Sequence, residues 1–333
     1  MIEINEIHLM DCMDLMASLP EKSVQLIIAD PPYFGVKGDF DFVWDSFDDY
    51  LKDVERWAVA CKRVLAENGS LYWWGHAKKI AYSQIILDRF FCLENSIAWY
   101  KTDCQTRKGR ENFRSFAPVT ERLLFYSNGT EPGEWNQTGW ESVKLDVANF
   151  QPLRDYFRIF QENLGLTKKA IVEKIGQRAD HCFRHSSSQW DMPTPETYKD
   201  LLGLPLQNGW KPTQYEELRR FFKNSTLDDI WFFSQDVHET GKNDHDTKKP
   251  ERIAAAIIET SSRPGDTVLV PFAGSGTECA MSVKLGRNFY GCDIDPKHVG
   301  TASKRVASAK AGLIPRTAEE VKLAGGEWSL FDL

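Results

Sequence analysis

Thr267-Val268-Leu269-Val270-Pro271-Phe272-Ala273-Gly274-Ser275-Gly276-Thr277 runs a short apolar segment straight into a glycine-bearing turn, and the turn opens a helix carrying Ala280, Met281 and Val283. An apolar run of this length bounded by turn residues reads as a strand covered on both faces. Glycines let a ligand approach the backbone, and a strand, turn and helix in this order are where a nucleotide-like cofactor meets a doubly wound sheet. Taken alone, the turn could equally be a tight connection with no ligand. The next strand supplies a second reason to read a site. Asn288 to Cys292 leads into Asp293, seventeen residues after Gly276, where a carboxylate can accept both ribose hydroxyl protons. Asp295 suits the cap of a helix that starts at Pro296.

The same alternation continues outward. Pro250 opens a helix with Ile253, Ala254, Ile257 and Ile258 on one face, and Pro264-Gly265 ends it. Near the start, Val24 to Ala29 is the clearest buried strand. Ser46 then precedes a helix with Asp48 and Asp49 in its first turn and Leu51, Val54, Trp57, Ala58, Cys61, Val64 and Leu65 on one face, stopped by Asn68-Gly69. Leu71 to Trp74 reads as a strand, Ala77 to Arg89 as a helix, Ser96 to Tyr100 and Arg122 to Tyr126 as further strands. After Ser127-Asn128-Gly129 the rhythm breaks into Trp- and Pro-rich sequence with helices but no βαβ alternation. Each sheet-forming block alone has too few strands to cover its helices. We therefore expect one α/β domain with a doubly wound sheet, formed by 1–127 and 240–312, an inserted, mainly helical region at 128–239, and a tail at 313–333.

Asp30-Pro31-Pro32-Tyr33 stands at the carboxyl end of the Val24 strand, where doubly wound folds bind ligands. Two successive prolines fix φ and remove two backbone donors, leaving a stiff turn that presents carbonyls, one carboxylate and one aromatic ring. That set suits an exocyclic amine. A purely structural turn with a capping Asp is the alternative, and the glycine turn on another strand of the same sheet weighs against it.

Across 333 residues the chain is 42% hydrophobic and 27% charged, a globular composition that excludes disorder and collagen. The most apolar stretch, Ala81 to Tyr100, contains Asp88, Arg89 and Glu94, so no run has the uncharged length of a membrane helix. Met1 to Glu6 lacks the features of a signal peptide, and the seven cysteines form no CxxC pair; both lead us to expect a cytoplasmic protein with reduced thiols. The net charge of -7 sits in residues 1–100, which hold 9 basic and 16 acidic side chains. Against that background, Lys101 to Arg114 carries Lys101, Arg107, Lys108, Arg110 and Arg114 against Asp103 and Glu111, either a phosphate contact or a solvated loop. His181-Cys182-Phe183-Arg184-His185 has His-x-x-x-His spacing but no cysteine pair at ligand distance in sequence, so no metal is expected. Thr167 caps a helix with Ile171, Val172 and Ile175, Gly176 turns the chain, and Arg178 to His185 reads as a second short helix. The pair is either a helix-turn-helix presenting Arg178, Arg184 and His185 to DNA or two ordinary packed helices.

The order of these motifs, Asp-Pro-Pro-Tyr first, a variable region second and the Phe-x-Gly-x-Gly turn last, resembles the beta class of DNA amino-methyltransferases. Asp11-Cys12-Met13 through Leu19-Pro20 and Ser23-Val24 is similar to that family's opening, and His245-Asp246-Thr247-Lys248-Lys249-Pro250 is similar to its His-x-Thr-x-Lys-Pro segment. One position departs: the family commonly has Asp where this chain has Val270. The resemblance implies a Rossmann-like methyltransferase sheet, S-adenosylmethionine as cofactor, double-stranded DNA as partner, and a target-recognition role for 128–239. It implies site-specific methylation of adenine N6, with Asp30, Pro31, Pro32 and Tyr33 catalytic and Asp11, Cys12, Thr247, Lys249, Phe272, Gly274, Ser275, Gly276, Thr277 and Asp293 around the cofactor. Thr247 and Lys249 would lie near the cofactor's carboxylate. Cytosine N4 is the rival target, because that branch uses the same acceptor geometry but more often begins its tetrapeptide with Ser. A non-catalytic DNA-binding regulator on the same scaffold is the alternative from another class. The tail Glu327-Trp328-Ser329-Leu330-Phe331-Asp332-Leu333 resembles the short peptides that bind the bacterial sliding clamp; packing on its own core is the other reading. A homodimer is also compatible with the sequence.

Overall fold

Gln25 is the one polar residue in the strand Val24–Ala29, because both faces of that strand are covered. In the computed structural model Leu26 and Ile28 point into one apolar core and Val24, Ile27 and Ala29 into another. The structure describes residues 2–36, 41, 43–102, 116, 118–128, 147–187, 189–207, 209–218, 227–235 and 249–312. It divides into two units, Met1–Gly133 with Phe221–Leu333, and Glu134–Arg220.

The first unit holds an eight-stranded sheet. Its strands are β1 (Ile7–Leu9), β2 (Val24–Ala29), β3 (Leu65–Gly75), β4 (Cys92–Lys101), β5 (Thr120–Ser127), β6 (Ile230–Phe233), β7 (Thr267–Val270) and β8 (Asn288–Asp293), in the spatial order β1-β8-β7-β2-β3-β5-β4-β6. Neighbours are parallel except around β5, which is antiparallel to β3 and β4. Helices α1 (Cys12–Ser18), α2 (Phe47–Val64) and α3 (Ile80–Leu87) contribute Leu15, Val54, Trp57 and Leu87 to one core. On the other face, α8 (Glu251–Ser261), α9 (Thr277–Lys284) and α10 (Pro296–Lys310) contribute Ile253, Ile257, Met281 and Val306. From β7 the chain passes through α9 to β8 on one side, and from β2 through α2 to β3 on the other. The crevice between the carboxyl ends of β7 and β2 is therefore the topological switch point of the sheet.

Several elements differ from the sequence reading. α2 ends at Val64, before Asn68-Gly69, because Leu65 already adopts extended backbone and pairs with Val24. The ladder then shifts register and resumes at Leu26 and Ser70, and Asn128 Nδ2 donates to the Leu65 and Ala66 carbonyls beside the irregularity. α3 starts at Ile80 rather than Ala77, since the His76 carbonyl accepts from both Lys79 and Ile80 in a preceding turn. β6 falls inside 128–239 yet extends the sheet beside β4.

The second unit is built from α4 (Val147–Leu164), α5 (Lys168–Ile175), α6 (Pro195–Leu202) and the single turn α7 (Tyr215–Leu218), around Phe157, Phe160, Leu164, Ile171, Trp190 and Tyr198. Thr167 caps α5, accepting from Ala170 N at 3.2 Å, and Gly176, with φ of +100°, ends it. The segment after Gly176 corrects the expected second helix. It is two 3-10 turns, Gln177–Ala179 and His181–Phe183. Backbone N–H groups of Ala179, Asp180, Phe183 and Arg184 bond three residues back, which eclipses residues three apart and buries Ala179 and Cys182 together.

Candidate active site at the carboxyl ends of four strands

β1, β8, β7 and β2 are consecutive, parallel neighbours, so their carboxyl ends share one edge of the sheet. Asp11, Asp293, the glycine turn and Asp30 stand at the carboxyl ends of those four strands in spatial order, Asp293 as the last residue of β8. Leu9 pairs with Asp293, and Met10 N donates to the Asp293 carbonyl at 3.1 Å, bringing the turn at Asp11 against β8. Asp11 then caps α1 by accepting from Met13 N at 2.7 Å. The Cys12 thiol beside it is buried, and burial pushes it well above the usual thiol range, so it is a packing group.

Asp293 ties the glycine turn to β8. Its Oδ2 accepts from Gly274 N at 2.9 Å and its Oδ1 from Asp295 N at 2.9 Å, with His298 Nδ1 at 3.2 Å from the same Oδ1. The two glycines differ in their reason for being there. Gly276 has φ of +75°, and a Cβ on it would lie 2.6 Å from the Ala302 Cβ, so it lets α9 and α10 close together. Gly274 has φ of +47°, but the space its Cβ would enter holds no atom within 4 Å. Only Gly274 therefore opens backbone to an incoming ligand. Ser275 and Thr277 are buried with their hydroxyls 3.0 Å apart, and the Phe272 ring meets Trp57 edge-on at 5.0 Å. These three shape the turn from beneath. Val270, at the position where the resemblance gives Asp, is buried in the sheet core.

Across the crevice, the prolines leave Asp-Pro-Pro-Tyr with one backbone donor after Asp30, and Tyr33 N donates to Asp41 Oδ1 at 2.5 Å. The Asp30 carboxylate is held at both oxygens: Oδ1 accepts from the Tyr33 hydroxyl at 2.6 Å, and Oδ2 faces Lys249 Nζ at 2.6 Å. Lys249 is buried, and its ammonium also lies 3.3 Å from Glu121 Oε2 and 4.9 Å from the centre of the Trp74 ring. Lys101 takes the other Glu121 oxygen. Burial pulls the Lys249 ammonium down, but Asp30 and Glu121 outweigh it and the group is raised above the usual lysine range. Burial raises Glu121, yet Lys249 and Lys101 prevail and bring it to about 2. The Tyr33 hydroxyl is pushed well up, first by burial and then by Asp30 and Glu121. Glu278, buried in the first turn of α9, is raised to about 7 by burial, with Asp30 adding to it and Lys249 and Arg305 opposing.

The crevice thus gathers Asp30, Pro31, Pro32, Tyr33, Lys249, Phe272, Gly274, Ser275, Gly276, Thr277, Asp293, Asp11 and Cys12 at adjoining strand ends. Thr247, Arg107, Lys108, Arg110 and Arg114 lie outside the described residues, as does the tail 313–333. Lys101 is described, and its ammonium is engaged by Glu121. In the second unit Arg178 pairs with Asp200, Arg184 Nε donates to Asp180 Oδ2 at 2.6 Å, and His185 Nε2 lies 2.9 Å from Gln161 Oε1. Sequence reasoning missed Asp41, Glu121 and Glu278. Glu121 had a faint signal as a charge opening the apolar strand at Arg122 to Tyr126; Asp41 had none, since no local pattern ties a carboxylate to the Tyr33 N–H eight residues earlier.

The residues fit an adenosyl cofactor with a charged amino-acid end. Gly274 leaves backbone open beside two carboxylates, Asp293 and Asp11, that can accept hydroxyl or amino protons. A switch-point crevice with this turn on one side and a carboxylate-proline turn on the other defines a Rossmann-like methyltransferase. The family model described as DNA methylase matches residues 24–304, and the chain belongs to that N6/N4 amino-methyltransferase family, whose cofactor is S-adenosylmethionine. Among known proteins it is similar to the type II methyltransferase M1.MboII of Moraxella bovis, 29% identical over 316 residues that cover 91% of this chain and 96% of that one. It is 26% identical to the type II methyltransferase M.HinfI of Haemophilus influenzae, over 92% of this chain and 69% of that one. Among solved structures, the PvuII cytosine-N4-specific DNA methyltransferase matches at a TM-score of 0.53 and 13% identity, covering 97% of this chain and 91% of that one. A DNA modification methylase of Thermus thermophilus matches at 0.50 and 18%, covering 92% and 96%. These structural likenesses support the fold. Among the described residues no helix is long and apolar enough to cross a membrane.

Proposed function

We propose that this DNA methyltransferase is site-specific and acts on the N6 amino group of adenine in double-stranded DNA. The observation that carries the reading is the Asp30 carboxylate, fixed by Lys249 and Tyr33 at the strand end next to the open backbone of Gly274. An adenine amino group is a poor nucleophile because its lone pair is delocalised into the ring. Acceptors that pull on its protons move it toward tetrahedral geometry. The Asp30 carboxylate and the Pro31 carbonyl accept hydrogen bonds from its two N–H groups, and the nitrogen loses one proton as it gains the methyl group and keeps the other. Tyr33, anchored through its hydroxyl, offers its ring to a base flipped out of the duplex. S-adenosylmethionine supplies a methyl group already activated on a sulfonium. Gly274 borders the methionine portion of that cofactor, Asp293 holds its ribose and Asp11 its adenine. The remaining work is alignment of the amino nitrogen with the methyl group, which positioning and electrostatics supply.

Asp at the first position of the tetrapeptide favours adenine over cytosine N4. The unit at 134–220 selects the target sequence, with Arg178, Arg184 and His185 on its surface elements, and the relatives' type II names support a place in restriction and modification. Asp30→Ala should abolish methyl transfer while S-adenosylmethionine still binds. Nucleoside analysis of DNA methylated by the wild-type chain should show N6-methyladenine. N4-methylcytosine would move the assignment to the rival base, and an active Asp30→Ala would remove Asp30 from the chemistry.

A further inference from the structure

The resemblance placed Lys249 against the cofactor's carboxylate, but its ammonium is committed elsewhere. It lies 2.6 Å from Asp30 Oδ2 and 3.3 Å from Glu121 Oε2, with the faces of Trp74 and Tyr33 at 4.9 and 5.7 Å. Lys101 then neutralises the outer oxygen of Glu121. Asp30, Lys249, Glu121 and Lys101 alternate in sign, from the end of β2 to the paired strands β5 and β4. A buried ammonium facing a single carboxylate forms a tight pair that occupies that oxygen and weakens it as an acceptor for anything else. Facing two, it is shared. We propose that Glu121 is a positioning residue for methyl transfer: acting through Lys249, it draws the ammonium to one side of Asp30, so that Lys249 orients the carboxylate without saturating it and Asp30 keeps acceptor capacity for the target amino group. Lys249 on this account serves the acceptor side of the site rather than the cofactor.

The proposal rests on Asp30 being the acceptor, as in the proposed function. It is tested with the full-length chain by single-turnover methylation of a duplex at saturating S-adenosylmethionine, with dissociation constants measured for both ligands. E121Q should slow the methyl-transfer step by about tenfold or more, the scale of a small misplacement of a catalytic group, and leave both dissociation constants within about twofold. E121D, which keeps the charge, should recover much of that rate. In K249M the rate should fall at unchanged cofactor binding, and adding E121Q should slow it no further, because the two act as one unit. A wild-type rate in E121Q, weakened S-adenosylmethionine binding in K249M at an unchanged rate, or independent losses in the double variant would overturn the proposal. If E121Q fails to fold, K101M removes the other partner of Glu121 and reads the same connection: a changed rate at unchanged binding supports it, and an unchanged rate overturns it. Failure of the wild-type chain to methylate adenine would instead count against the functional reading.

Discussion

A Cβ at Gly276 would press on Ala302 at 2.6 Å, whereas one at Gly274 would enter empty space, so the same substitution should have two different consequences. Gly276→Ala adds a clash between α9 and α10 to a left-handed backbone and should lower stability by roughly 1–3 kcal/mol. Gly274→Ala bears only the backbone strain, about 1 kcal/mol, yet its methyl group occupies the face left open to the cofactor. Thermal melts should therefore single out Gly276→Ala, and titration with S-adenosylmethionine should single out Gly274→Ala. Glu278 offers a second contrast at this scale. Its carboxyl is raised from 4.5 to about 7, so the folded state holds that proton more tightly than the unfolded chain does. Its contribution to stability is full below about pH 4.5, is lost as pH rises to 7, and stays lost above. Glu278→Gln keeps the neutral form at every pH, and its stability relative to wild type should rise across that window by up to about 3 kcal/mol. Urea melts at pH 5 and pH 7.5 measure the difference; an equal effect at both would show that Glu278 is not held neutral.

At the scale of elements, β2 and β7 were legible because both faces of each are buried and their apolar runs end abruptly in turn residues. β6 was not. Ile230-Trp231-Phe232-Phe233 is apolar throughout, so no alternation marks its exposed face, although Ile230 and Phe232 are half exposed while Trp231 and Phe233 are buried. The segment after Gly176 misled for another reason, since three-residue spacing of Ala179 and Cys182 suits a 3-10 turn as well as one face of an α-helix. The basic stretch that follows β4 carries its own expectation. If Arg107, Lys108 and Arg110 contact phosphates, replacing all three by Ala should weaken binding to every duplex regardless of sequence. It should also flatten the slope of log affinity against log salt by about 0.9 for each phosphate no longer neutralised. An unchanged slope would place them in solvent.

At the scale of the molecule, the glycine turn and Asp-Pro-Pro-Tyr could be read as two sites from the sequence, but their meeting is a property of strand order that no local pattern carries. Glu121 stayed hidden for the same reason: it matters through Lys249, a residue more than a hundred positions away in the chain. Leu26 pairs with Val268 and Ile27 with Leu269, so the strand that carries the acceptor is joined to the strand that leads into the cofactor turn by a ladder whose halves are about 240 residues apart in the chain. During synthesis at about 5–20 residues per second, β2 waits roughly 12 to 50 seconds for β7 to be made. Over that interval one edge of a strand with a single polar residue stays unpaired, so the sheet closes late. No partial product of translation that stops short of β7 can transfer a methyl group, because the two halves of the centre are made near the beginning and near the end of the chain.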